Sequence, residues 1–325
     1  MEKLSPAVLE AYGIHSRSIK KEKGHYLCDT ASGLLKVHTT PEPVWDIERQ
    51  HQIKEHLAAN GFPHTDRYKL TQTGQPYALI GRETYVVTTQ PRVQRETDLE
   101  NETEVLQAVQ TLARFHAAAK NIPQEPTPTP ISPPLTEVYT RHIQELAQAL
   151  KQARRSPRMS DFDVALIKHA PYYNETMQDA IQRLSKTHYA ALYVQAVNQN
   201  ALCHNNLKEE NLPTADGVTY IINFSQAAID LQLCDLAALI RRYAQRSSKA
   251  LPALKLLDAY NNIASLPHAA ADILYAQLIF PWAFMKTVTQ YYSKKRNWAP
   301  NGLISRIDMI LEERDAYEQY ISVLQ

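Results

Sequence analysis

The chain has 325 residues, with 35 lysines and arginines against 34 aspartates and glutamates, for a formal net charge of +1. That length suits one large or two modest domains with a sizeable buried interior, and the charge balance argues against a dedicated nucleic-acid binder. Three cysteines, Cys28, Cys203 and Cys234, lie far apart without CxxC spacing, which suits a reducing compartment and neither a disulfide framework nor a zinc site.

The opening "MEKLSPAVLEAYGI" lacks the apolar stretch of a secretory signal, and the most apolar late run, "ILYAQLIFPWAFM", is interrupted by Gln277 and Pro281. The expectation is a soluble chain, cytoplasmic at synthesis, with no membrane partner. Ser5-Pro6 starts a short helix over 5–12. "HYLCD" and "LLKVHTT", separated by "TASG", read as a hairpin with Lys36 on its second strand. After Pro41 and Pro43 a helix follows, with Trp45, Ile47, Ile53 and Leu57 at helical spacing and a stop at Asn60-Gly61. "PYALI" and "TYVVTT" give two more strands around Gly81, and Pro91 breaks the pattern.

Beyond that break the chain reads as helical. Val105, Leu106, Val109, Leu112, Ala113 and His116 share a helix face. "IPQEPTPTPISPP" is an extended surface connection. Helical patterns resume over 136–155 and 161–185 and return from 235 to the end. One β element interrupts them: "NLPTADGVTYIINF" carries Asp216-Gly217, a tight-turn pair, between two extended runs. Glycine occurs only 8 times, and neither a Walker A nor a GxGxxG motif is present. Gly24 and Gly33 are too sparse to form a phosphate cradle.

Just before that hairpin stands "LCHNNLKEENL", residues 202–212. A strand lysine, a helix, a proline break, a helical half, His-x-Asn-x4-Asn, a hairpin and "IINF" follow one another in the order of parts of a kinase fold. "LCHNNLKEENL" and "YIINFSQAAIDLQLCDLAALIRRY" resemble the HxDxxxxN loop and the following metal-binding segment of aminoglycoside and choline phosphotransferase-like kinases. "LARFHAAAK", "YYNETMQDAIQRL" and "FPWAFMKTVTQYYSKKRNW" are similar to the spore coat-associated CotS and YutH branch of that superfamily. The resemblance implies an α+β, two-lobed protein kinase-like fold. It has a small antiparallel-sheet lobe over 1–91 and a large helical lobe over 92–325 that carries a catalytic-loop-like hairpin, 204–223. It also implies association with the spore coat and with other coat proteins.

In such kinases a loop aspartate orients the substrate hydroxyl, an asparagine five residues later helps to hold Mg²⁺, and a later aspartate binds the metals. By position His204 is the loop histidine, Asn206 the base position, Asn211 the metal-side asparagine and Asn223 the later metal position. Asp235 falls where the fold braces the loop, a place that also suits helix capping. A carboxamide cannot accept a proton at neutral pH and brings no negative charge to Mg²⁺. Loss of a general base alone costs ~10²–10⁴ in rate. No metal and no cofactor is therefore assigned, although ATP with Mg²⁺ is the cofactor of the superfamily, and an efficient kinase is not expected. The alternative to this catalytic-loop-like reading is a bare asparagine-rich turn leading into the hairpin, against which the ordered context decides.

Lys36 matches the nucleotide-anchoring lysine, or is a solvent-facing charge. Its expected carboxylate partner falls on Gln50, with Glu48 and Glu55 as imperfect substitutes. The interlobe cleft is expected to hold Lys36, Asn206, Asn211 and Asn223. His116, beside Arg114, reads as a packed helix residue. Lys294, Lys295 and Arg296 near Trp298 read as a solvated helix end. The pairs Tyr172-Tyr173 and Tyr291-Tyr292 give weak support for a protein partner. Two other functions remain open: a choline-, homoserine- or aminoglycoside-type phosphotransferase whose site is rebuilt by Asp230 or by Glu209 and Glu210, and a nucleotide-binding sensor that keeps Lys36 and Asn211.

Overall fold

A computed structural model describes residues 4–22, 24–91, 94–246, 251–293 and 300–324. The chain forms two compact units, 1–131 with 199–229, and 132–198 with 230–325. The boundary expected at 91 falls inside the first of these.

In the first unit Pro6 begins helix α1 (Pro6–Ala11) directly after Ser5. Five strands follow: β1 (Ser16–Glu22), β2 (His25–Thr30), β3 (Gly33–Thr39), β4 (Tyr77–Ile80) and β5 (Glu83–Gln90). They make one antiparallel sheet in the order β1-β2-β3-β5-β4. The expected hairpins are β2–β3 and β4–β5; β1 is an additional edge strand. Apart from Ile19 its residues are polar, and most are exposed, so it lacks the alternation that marks a half-buried strand. One sheet face closes on α1, where Val8, Tyr12, Cys28, Leu35, Val37 and Val87 form a core.

Between β3 and β4 runs α2 (Val44–Ala59), stopped at Asn60 and at Gly61 with φ +86°. Ile47, Ile53 and Leu57 are fully buried as expected, but Trp45 is 58% exposed. The buried face of α2 is completed instead by Asp46, Arg49, Gln50 and Lys54. After the two-residue strand β6 (Arg95–Glu96) comes α3 (Glu102–Ala118), whose cap Asn101 accepts from the backbone of Thr103 and Glu104. His116 is buried against the Phe115 ring, and Arg114 is exposed. The unit is completed by β7 (Leu202–Cys203), β8 (Pro213–Ala215), β9 (Val218–Thr219) and β10 (Ala228–Ile229). Asp216 and Gly217, with φ of +51° and +76°, turn β8 into β9, as a two-residue hairpin of right-handed twist requires. β7 pairs with β10, and β6 with β8.

The second unit is helical: α4 (Leu135–Arg154), α5 (Asp161–Lys186), α6 (Tyr189–Asn198), α7 (Leu233–Arg246), α8 (Ala253–Asn261), α9 (Ala270–Ile279), α10 (Trp282–Tyr292) and α11 (Pro300–Ile321). Ser160 and Asp163 form a reciprocal capping box at the start of α5. Tyr291 stacks on Phe162 with ring centroids 3.9 Å apart, and Tyr292 donates to Asp163. Among the described residues no helix is long and apolar enough to cross a membrane. The basic run Lys294–Arg296 and Trp298 lie outside the described residues.

Candidate functional site

The sheet dictates which side chains of β3 meet. Strand side chains alternate, so Leu35 and Val37 enter the α1 core while Lys36 and His38 project to the opposite face. Lys36 stands opposite Leu27 of β2 and Thr88 of β5. That second face borders a cavity of about 410 Å³, within the first unit, lined among others by Lys36, His38, Thr65, Asp66, Asn211 and Asn223.

Helix α2 supplies the next wall. Asp46, Gln50 and Lys54 are spaced four apart and share a face, with Arg49 beside them. Gln50, where a carboxylate for Lys36 was expected, donates from Nε2 to Glu42 Oε2 and Asp46 Oδ2, both at 3.0 Å. Glu55 is engaged by Arg67, and Glu48 does not line the cavity. Within the described residues Lys36 makes no ion pair. The buried lysine is Lys54, 1% exposed, whose Nζ lies 3.0 Å from Asp66 Oδ1 and 4.1 Å from the Tyr68 ring centroid. Arg49 is 2% exposed; it donates from Nε to Asp46 Oδ1 at 2.8 Å and from Nη1 to the Ala227 carbonyl at 2.9 Å. Its Nη2 reaches the carbonyls of Phe224 and Ser225 at 3.4 and 3.2 Å. A buried charge needs such partners, and here they tie α2 to the turn that follows Asn223. Sequence reading missed Arg49 and Lys54; the available signal was a polar stripe four apart on an otherwise apolar helix face.

The loop after β7 is held by its own polar groups. His204 is fully buried and donates from Nε2 to the Ile222 carbonyl at 2.9 Å, with its ring edge-on to Phe224. Asn205 takes φ +59°, which asparagine tolerates. Asn206 is half-buried and does not line the cavity. Its backbone carbonyl accepts from Asn211 Nδ2 at 2.8 Å. Asn211, 3% exposed, receives the Ile222 amide on its own carbonyl at 3.1 Å, which closes the hairpin and brings Asn223 alongside. Asn223 sits in the left-handed region at φ +67°. Its Nδ2 donates to Asn211 Oδ1 at 3.3 Å, and its Oδ1 accepts from Ser225 Oγ at 2.8 Å.

These contacts decide how well the residues fit a magnesium ion. Asn211 Oδ1 and Asn223 Oδ1 both already accept a proton-bearing partner, and neither position carries charge, so the pair is a poor seat for a hard dication. Asp230 does not rebuild it. It belongs to the helical unit, where its carboxyl accepts from the Leu231 amide at 2.7 Å and bonds the side chains of Ser132 and Cys234, and burial raises its pKa to about 6. Asp235, also in that unit, is buried in the first turn of α7 rather than at its cap. Glu210 lines the cavity and pairs with Lys208 at 3.5 Å; Glu209 does not line it. Among the cavity groups, burial and the neighbouring Lys36 charge lower the His38 pKa to about 4, and burial raises that of Glu42. Thr65 Oγ1, His38 Nδ1 and Gln90 Oε1 are buried without a hydrogen-bond partner.

A family model described as "Spore coat putative kinase YutH" matches residues 6–324. The chain is 21% identical over 324 residues to the endospore coat-associated protein YutH of Bacillus subtilis (strain 168), covering 98% of this chain and 91% of that protein. An aminoglycoside phosphotransferase from Alicyclobacillus acidocaldarius superposes with a TM-score of 0.85 at 16% identity, over 100% of this chain and 96% of that one. The choline kinase LicA from Streptococcus pneumoniae gives 0.51 at 15% identity, over 96% and 98%. At these identities the solved structures carry the fold, an α+β kinase-like fold. The match over nearly its whole length makes the chain a member of the spore coat YutH family.

Proposed function

We propose that this protein is a kinase-fold component of the bacterial endospore coat that lacks effective phosphotransferase activity and acts through interactions with other coat proteins. The observation that carries the reading is the amide-to-amide bond between Asn223 and Asn211. Two facing carboxamides are neutral and their oxygens already accept, from Asn223 Nδ2 and from Ser225 Oγ, where a metal-assisted transfer needs anionic oxygens free to coordinate. Asn206 adds a base position that cannot take a proton at neutral pH. Family membership supports the coat assignment. Introduced into a sporulating host in place of the original chain, an Asn206→Ala, Asn223→Ala variant is expected to fractionate with the coat in undiminished amount; its loss from the coat, with the fold intact, would contradict the proposal.

A second reading has its own support. The cavity beside Lys36 has a size typical of small-molecule sites, and Thr65, 4% exposed, leaves its hydroxyl unsatisfied there. In this reading the pocket holds an anionic ligand such as a nucleotide without turning it over. A rise in melting temperature with millimolar ATP or ADP, equal with and without Mg²⁺, supports it; no rise with either nucleotide removes it.

A further inference from the structure

The helical unit contains a separate cavity of about 380 Å³, lined by no residue of the loop 202–223. Two polar groups in its wall lack what burial demands. Tyr173, on α5, is 4% exposed, and its hydroxyl has no hydrogen-bond partner. Arg241, on α7, is partly buried. Only its Nη1 makes a bond, a long one of 3.4 Å to the Gln277 carbonyl, and among the described residues it has no carboxylate partner. The Trp282 ring centroid lies 5.7 Å from the guanidinium carbon, and Tyr317, Tyr139, Arg242 and Cys234 also stand near it. Burial lowers its pKa from the ordinary arginine value, yet a guanidinium remains charged. A partly desolvated cation without a counter-ion is an unfavourable arrangement that an arriving anion relieves.

The surrounding wall sets the rest of the ligand. Phe284 stacks on Tyr173 with centroids 3.8 Å apart and Phe280 lies 4.6 Å from Trp282, both phenylalanines being fully buried; the apolar side chains left partly open to the cavity are Trp282, Ile279 and Ile310. Acids also border the cavity, but Glu175, Glu313 and Glu318 are exposed, where solvent screens them. The fourth, Asp179, is paired with Arg183 at 2.8 Å.

We propose that this cavity binds a small carboxylic acid with an aromatic or apolar body, its carboxylate on Arg241 and its body against Trp282, Ile279 and Ile310. The hydroxyl of Tyr173 donates to the same molecule. The site is independent of the kinase-like loop and of the function proposed for it.

Naphthylacetate and naphthylethylamine share a ring system and differ in the sign of their charge, which makes them a discriminating pair of probes. Titrated calorimetrically into the full chain, naphthylacetate is expected to bind with Kd below ~1 mM, and the amine at least ~10-fold more weakly. Arg241→Gln should weaken the acid ~10-fold or more. Tyr173→Phe, which keeps the ring stack, should weaken it about threefold to tenfold, and it decides the matter if the arginine variant does not fold. No binding of the acid at millimolar concentration, binding of the amine as tight as the acid, or an unchanged affinity in the variant that folds would overturn the proposal.

Discussion

The carboxamide of Asn223 donates to the carboxamide of Asn211 over 3.3 Å, while Asn211 spends its own N–H on the Asn206 carbonyl at 2.8 Å. The direction of the chain of bonds is therefore fixed: Asn211 cannot turn its amide round without losing its bond to the loop. Asn223→Asp would set two acceptors face to face. Because Asn223 is exposed, the cost is modest, about 1 kcal/mol. Thermal melts in metal-free buffer should show that loss, and Mg²⁺ should recover part of it in the variant while leaving the original chain unmoved. A Mg²⁺-dependent rise in the original chain would show that the amides do seat the ion.

Arg49 fastens the turn after Asn223 to α2 through three backbone carbonyls and Asp46. Arg49→Met leaves Asp46 buried without its countercharge and the carbonyls without a donor. Urea unfolding should show a loss of about 3–5 kcal/mol. The double variant Asp46→Asn, Arg49→Met should lose less than the sum of the single changes, because the two groups are in contact.

Asp230 gives a pH signature. Burial raises its pKa from 3.8 to about 6 in the folded chain, so the folded state holds a proton that the unfolded state releases at lower pH. Its contribution is fully present below the unfolded value and is lost as pH rises through about 6. Asp230→Asn should therefore remove that decline, a difference of about 3 kcal/mol across the window. Unfolding free energies of the two proteins measured from acid to neutral pH check the sign: a gap that narrows with rising pH contradicts it.

The hairpin that closes the loop depends on Gly217, whose φ of +76° suits glycine and whose surroundings would leave an added Cβ free of contacts. Gly217→Ala should cost about 1–2 kcal/mol from backbone strain alone, and Gly217→Asn less, since asparagine tolerates that region. Equal stability of the alanine variant would place the turn in another conformation.

What the sequence made legible follows from physical pattern. Caps, turn pairs and apolar spacing marked α1, α2, α3, α4 and α5 and the hairpins β2–β3, β4–β5 and β8–β9 within a few residues of their positions. The edge strand β1 escaped because "SRSIKKE" buries no side chain fully and shows no alternation. Helix α6 escaped because "YAALYVQAVN" is apolar on nearly every side, so no polar face marks a helical period, and only Tyr189 and Ala196 are buried. Trp45 was grouped with the apolar face by helical spacing, whereas the buried face of α2 is shared with Arg49 and Lys54, charges whose partners include nearby Asp46 and Asp66 and the distant Ala227 carbonyl. Asn211 and Asn223 were placed together by motif order; the bond from Asn211 to the Asn206 backbone is one that spacing does not encode.

The most direct measurement is the rate of ADP release by the purified chain with saturating ATP and Mg²⁺, in the presence of choline, homoserine and an aminoglycoside in turn. The amides at 206 and 223 predict a rate at background, unchanged by Asn206→Ala. Turnover near the ordinary enzyme range of roughly 1–10³ s⁻¹, dependent on Mg²⁺ and abolished by Asn206→Ala, would contradict the account.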